Sequence, residues 1–281
     1  TSASLENESM KIKLSGIAVF NREVAAEEVF LSDENYKIGV NLVWGGALSY
    51  LEDLNSSVQA VIVDGRTYVD SNAAEKYSAK SVNNNVNLIN ANDTGRLVQQ
   101  SYYGIGNSEQ YESAIYNDTL WNYNPVQGGN QYNESSKIVD LRIDENSIYI
   151  KCRPLDWAKS AEYITPSYME ATYSLENSLV FVSCRFVDFS GYDAVYTTQE
   201  LPAFYCIEPF NSFVYYKGGE LHREDNLIFW PDAGYPNFTS DEHWAAFVGE
   251  NEDSFGIGLY APNETNFLAG VYEKKKTDSS N

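Results

Sequence analysis

Period-two alternation of apolar and polar residues runs along most of this chain, and it restricts the fold more than any other feature. In YKIGVNLVW, Ile38, Val40, Leu42 and Trp44 fall on one face of an extended chain. VQAVIV meets Asp64-Gly65 and then RTYV, a two-residue hairpin signal. KIVDLRI, DENS and IYIKCR predict a second hairpin, and YMEATYSL, ENS and LVFVSCRFV a third. FVYY ends at Lys217-Gly218-Gly219, and NLIFW stops at Pro231. HWAAFV and FGIGLY flank a Gly/Asn/acidic turn and predict a fourth hairpin, with NFLAGVYE as a last strand.

Helical patterns are few. VAAEEVF (24–30) allows one or two turns, and the segment from Asn92 allows a short helix capped by Asn92 or Asp93. About a dozen strands exceed what one open sheet holds, so two packed sheets are expected. The predicted fold class is all-β: a large antiparallel two-sheet β-sandwich with few short helices. A lead-in with a first strand or short helix is expected over 1–35, a single sandwich domain over 36–272 and a polar tail over 273–281. The polar stretch 70–95, with NNN at 83–85, reads as a long connection.

Charge narrows the partners. Lys and Arg number 19 against 40 Asp and Glu, a net charge of −21. A field of that sign repels nucleic acid and anionic membranes and leaves neutral ligands unaffected. No apolar run approaches the length of a membrane span, so no membrane insertion is expected. Cys152, Cys184 and Cys206 sit far apart in alternating runs and read as small buried hydrophobes. With His222 and His243 as the only histidines, no zinc-type cluster is expected. No cofactor is expected, and no ligand spacing points to a structural Ca²⁺. The polar opening TSASLENESM carries no signal peptide; a secreted protein whose signal has been removed is expected.

The chain has 22 Tyr and 5 Trp. Aromatic faces stack on the apolar faces of sugar rings, and amides satisfy sugar hydroxyls in pairs. Three segments concentrate such groups. NDTGRLVQQSYYG supplies Asp93, Arg96, Gln99, Gln100, Tyr102 and Tyr103. If extended, Gln99, Ser101 and Tyr103 share one face, and Gln100 and Tyr102 the other. Neither face suits a dry core, so water, a ligand or a polar network must meet at least one. WNYNPVQGGNQY supplies Trp121, Asn124 and Gln127 on a loop, and TTQELPAFY supplies Glu200. Trp230 is a further stacking candidate.

Glycoside hydrolysis needs two carboxyl groups about 5–10 Å apart. Asp93, Glu200, Glu208, Asp232 and Glu242 are the candidates, with Glu200 and Asp93 the favoured pair. Lyase chemistry needs a base and a neutraliser of a uronate carboxylate, roles open to Tyr102, Tyr103, Arg96 and Gln100.

The pieces IGVNLVWGGALSYL, NLINANDTGRLVQQSYYG, WNYNPVQGG, QELPAFY and HWAAFVGENEDSFGIGLY, in this order over about residues 36–272, resemble a family of secreted, mostly uncharacterised bacterial proteins. The resemblance implies a galactose-mutarotase-like β-supersandwich and a carbohydrate ligand, without supplying a reaction. Epimerases of that fold use a histidine acid and a glutamate base, and neither His222 nor His243 sits in a comparable motif. Family members continue with further strands beyond the point where this chain ends in KKKTDSSN.

The resulting expectation is a secreted protein that binds and cleaves a poly- or oligosaccharide in a cleft lined by Asp93, Arg96, Gln99, Gln100, Tyr103 and Glu200. A non-catalytic carbohydrate-binding module with Trp121, Trp230 and tyrosines as its platform is the alternative. A third expectation makes the polar segments a buried network that braces the sandwich.

Overall fold

The structure is a computed structural model. It describes residues 2–7, 10–14, 27–56, 58–63, 66–70, 72–76, 78–177, 179–207, 209–210, 212–217, 227–230, 237–249, 256–262 and 266–268. The described residues form antiparallel sheets and a single short helix, Ala73–Lys76. None of their helices is long and apolar enough to cross a membrane. Contacts group the chain into two compact units: residues 1–56 with 87–205, and residues 57–86 with 206–281.

The first unit is a two-sheet sandwich. One sheet has nine strands, ordered Leu155–Asp156, Pro125–Val126, Val98–Ser101, Ala47–Asp53, Tyr36–Asn41, Glu28–Ser32, Ser2–Asn7 and Met10–Leu14, with Glu200–Phe204 also pairing on Val98–Ser101. The other has four: Lys137–Ile143, Ser147–Arg153, Ser167–Glu176 and Leu179–Asp188. Alternation becomes burial directly. In Ser147–Arg153 and Ser167–Glu176 every second side chain is buried. Val29, Leu31, Ile38, Val40, Leu48 and Val98 from the first sheet meet Ile143, Ile148, Ile150, Met169 and Tyr173 from the second in one core. Cys152 lies in this core, and burial pushes its thiol up to about 12.

The second unit carries the predicted hairpin Gln59–Val63 with Arg66–Asp70; its turn residues 64–65 lie outside the described residues. It also holds a four-stranded sheet, ordered Leu227–Trp230, Ser212–Tyr216, Trp244–Val248 and Gly256–Tyr260. Phe213, Tyr215 and Phe238 form its core cluster. The predicted last strand is observed over Asn266–Leu268, and its continuation lies outside the described residues, as do Pro231, Gly218 and Gly219.

Three sequence expectations need correction. Glu28–Ser32 is a strand, not a helix, because Val29 and Leu31 alternate into the core; residues 24–26 lie outside the described residues. The strand from Tyr36 ends at Asn41, so Leu42 and Trp44 do not continue its face. The Asn41 carboxamide accepts from the amides of Val43 and Trp44, and Gly45 and Gly46 take positive φ (57° and 71°) to turn the chain. No helix opens at Asn92. Asp93 instead caps a turn, its carboxylate accepting from the amides of Gly95 and Arg96.

Candidate functional site

Strand Val98–Ser101 is the framework of the site. Val98 pairs with Leu48 and Phe204, and Ser101 with Val126 and Glu200. A strand has two edges, so Glu200–Phe204 flanks one of them while Ala47–Asp53 and Pro125–Val126 share the other. All four strand residues are buried.

The glutamines are braces. Gln99 is 2% exposed; its amide donates to the carbonyls of Thr94 (2.9 Å) and Gly95 (3.1 Å) and accepts from the amide of Gly128 (2.6 Å). Gln100, 0% exposed, donates to the Glu170 carbonyl (2.8 Å) and accepts from the Tyr102 hydroxyl (3.3 Å). Tyr102 stacks on Phe186 against the core. Gln127, 1% exposed, donates to the Gly46 carbonyl (2.9 Å) and the Tyr173 hydroxyl (3.0 Å). Buried amides are stable only when paired in this way. Gln99, Gln100, Tyr102 and Gln127 were expected to touch a ligand; their polar groups are instead committed to protein partners, and the third sequence expectation describes them. At Gly128 a Cβ would come within 2.4 Å of the Thr94 carbonyl oxygen and 2.6 Å of Gln99 Oε1, so the close approach requires glycine.

Asp93 and Arg96 form a local pair. Besides its two backbone amides, the Asp93 carboxylate binds the guanidinium of Arg96. Both of its oxygens are therefore occupied, and it braces a turn.

Glu200 has different company. Its cross-strand partner is Ser101. The Tyr103 hydroxyl stands 3.4 Å from Glu200 Oε1. Tyr103 is fixed through its backbone: its amide donates to Gln199 Oε1 (2.6 Å), and its carbonyl accepts from Gln199 Nε2 (3.0 Å). The Tyr103 ring lies 6.1 Å from that of Trp121, edge to face. The Trp121 indole N–H donates to Asn124 Oδ1 (3.1 Å), and Asn124 Nδ2 donates to Ser101 Oγ (3.0 Å) and to the Tyr102 carbonyl (2.8 Å). Glu200, Tyr103, Trp121, Asn124 and Ser101 thus form a closed ring of contacts. Ser101 and Asn124 are its buried floor, and Glu200, Tyr103 and Trp121 are half-buried. Burial raises the Glu200 carboxyl above its ordinary value, and the hydroxyls of Ser101 and Tyr103 partly offset this.

Two members of the site went unnoticed in the sequence. Asn117 and Asp118, at φ 46° and 59°, turn a hairpin between Ala114–Tyr116 and Thr119–Trp121. Two successive positive φ values are the signature of a type I′ turn. The hairpin places Tyr116 and Trp121 on the same side, with ring centroids 5.0 Å apart, while Ile115 and Leu120 on the other side are exposed. Tyr116 also contacts Trp157 (5.6 Å). Gly95 lies under Trp157, where a Cβ would be 2.7 Å from the indole. An aromatic strip therefore runs Trp157, Tyr116, Trp121, Tyr103 and ends at Glu200. The Asn117-Asp118 pair between short apolar runs was the available signal for the hairpin.

The remaining candidates lie elsewhere. Trp230 stands in strand Leu227–Trp230 of the second unit. Glu242, also in the second unit, accepts from the Trp244 indole (2.7 Å). Glu208 and Asp232 lie outside the described residues. Among the described residues no group of three or more His, Cys, Asp or Glu side chains comes together to hold a metal. A shallow recess of about 530 Å³ is lined by Ile105, Asn107, Ser108, Gln110, Asp193 and Val195. It holds none of the groups described above.

No protein-family model matches the chain, and no curated protein matches it.

Proposed function

We propose that the strip Trp157–Tyr116–Trp121–Tyr103, closed by Glu200, binds a glycan, and that the first unit acts as a carbohydrate-binding module. The ring of contacts joining Trp121 to Glu200 carries this reading. It fixes in succession an indole, a phenol that donates or accepts, and a carboxyl that accepts hydroxyl protons, with Tyr103 between Trp121 and Glu200. Stacking on the apolar face of a sugar and bidentate hydrogen bonding at its edge need that pairing. The family resemblance carried by the same segments supports the ligand class and a location outside the cell.

Binding is favoured over cleavage because the expected second carboxylate is engaged elsewhere: Asp93 is spent on its own turn and on Arg96. Cleavage with Glu200 as general acid is the second reading, favoured by its burial-raised carboxyl. Affinity electrophoresis against soluble polysaccharides separates the readings. Binding predicts retardation by at least one polysaccharide, loss of retardation in Trp121→Ala and no release of reducing ends. Reducing ends that disappear in Glu200→Gln would establish cleavage. Absence of retardation by every polysaccharide, or retardation indifferent to Trp121→Ala, would overturn both the site and its ligand class.

A further inference from the structure

Two of the aromatic clusters in the first unit combine rings with a carboxyl, and they differ in their cations. In the first, the Lys159 ammonium sits 4.1 Å from the centroid of Tyr111 and 3.9 Å from that of Tyr163. The buried carboxyl of Asp156 accepts from the Tyr111 hydroxyl at 2.7 Å. Aromatic faces, a carboxyl and an ammonium complete one another there. The second cluster is the strip beside Glu200. It presents the same elements, aromatic rings and a half-buried carboxyl, but among the described residues no Lys, Arg or His forms a salt bridge with Glu200. The cations on flanking segments are spent elsewhere, Arg96 on Asp93 and Lys159 between its two tyrosines.

We infer that the strip selects glycans bearing free amino groups, with the ammonium of a 2-amino-2-deoxy sugar seated against Glu200 and the ring of that sugar or its neighbour against Trp121. The inference rests on the glycan-binding reading above and names its substrate class. An ammonium donates up to three hydrogen bonds, and the Glu200 carboxylate is its natural acceptor. A uronate or sulfated sugar would instead bring a second anion to a carboxyl that no cation among the described residues pairs with. The chain as a whole, with 19 Lys and Arg against 40 Asp and Glu, attracts a polycation and repels a polyanion over long range.

The test is titration of the full chain with glucosamine oligomers, N-acetylglucosamine oligomers of the same length, oligogalacturonate and trilysine, by calorimetry at physiological salt. Glucosamine oligomers are expected to bind at least about tenfold tighter than the N-acetylated ones, the scale of one charge-assisted hydrogen bond. Glu200→Gln is expected to abolish that preference, bringing the two oligomers to the same affinity. That variant removes one of 40 acidic residues, so attraction of a polycation by net charge alone would hardly change. Equal affinity for both oligomers, or a preference that survives Glu200→Gln, would overturn the amino-sugar inference and leave glycan binding standing. Binding of trilysine as tight as the amino-sugar would overturn the sugar assignment in favour of a cationic peptide. If neither oligosaccharide bound while a polysaccharide retarded the chain in electrophoresis, this inference would fall and the glycan reading would stand. The wild-type comparison of the two oligomers is decisive even if Glu200→Gln folds poorly.

Discussion

The tyrosine cluster around Asp156 and the strip beside Glu200 are built from the same materials and are finished differently. In the first, Tyr111, Tyr123 and Tyr192 pack edge to face, Tyr163 and Tyr192 share a hydroxyl contact of 3.1 Å, and Lys159 supplies the charge. Asp156 is 0% exposed and accepts from Tyr111 and from the amide of Ala158. The cluster's polar demands are met from within, and it reads as structure. In the strip, Glu200, Tyr103 and Trp121 are half-buried above a hydrogen-bonded floor, and among the described residues Glu200 forms no salt bridge. A buried group paired from inside stabilises the fold, whereas a positioned group left without its counter-charge is poised for a ligand.

The comparison can be broken by substitution. The largest effect is expected at Asp156→Ala. It leaves the Tyr111 hydroxyl and the Ala158 amide without their acceptor and should cost about 3 kcal/mol in urea unfolding. Glycan affinity should not change. Loss of glycan binding in a variant that remains folded would show that the two regions are not separate in function. Lys159→Met keeps the stem and removes the charge, and should cost about 1 kcal/mol by the same measurement. An unchanged midpoint would mean that the ammonium contributes nothing to its cage.

Both regions also leave a mark on the pH dependence. Burial raises the carboxyls of Asp156, Glu200 and Glu28, so the folded chain holds more protons than the unfolded one just above the ordinary carboxylate range. Stability should therefore fall as pH rises from the ordinary carboxylate range through the raised values of these groups, and Glu200→Gln should flatten that decline. A midpoint that rises over the same range would contradict the account. The smallest effect is expected at the hairpin tip. Asp118→Gly creates an Asn-Gly pair at two positive-φ positions and should raise stability by a few tenths of a kcal/mol, about 0.5 at most.

What the sequence made legible follows the range of the interactions. The hairpin of Ser167–Glu176 with Leu179–Asp188 was readable because its alternation is uninterrupted and its partners are adjacent. The need of Gln99 and Gln100 for partners was readable too. Their partners were not, because the acceptors are backbone carbonyls of Thr94, Gly95 and Glu170, which no residue type advertises. The role of Asp93 is local, an acid capping the amides two and three residues on, and Asp-Thr-Gly-Arg already carries it. The placing of Glu200 and Trp121 on either side of Tyr103 was beyond reach. It depends on Ser101 pairing across one edge of its strand with Glu200 while Asn124 reaches its hydroxyl from another segment. Leu42 and Trp44 were misread because Gly45-Gly46 ends the strand before the alternation does.

The central claim is that the open strip, and not the closed cluster, holds the ligand. The most direct test compares Trp121→Ala with Lys159→Met in titrations with a retarding glycan. The account predicts that Trp121→Ala weakens binding by tenfold or more, about 1.4 kcal/mol or above, while Lys159→Met binds as the wild type does. Equal affinity in Trp121→Ala, or a comparable loss in Lys159→Met, would contradict it.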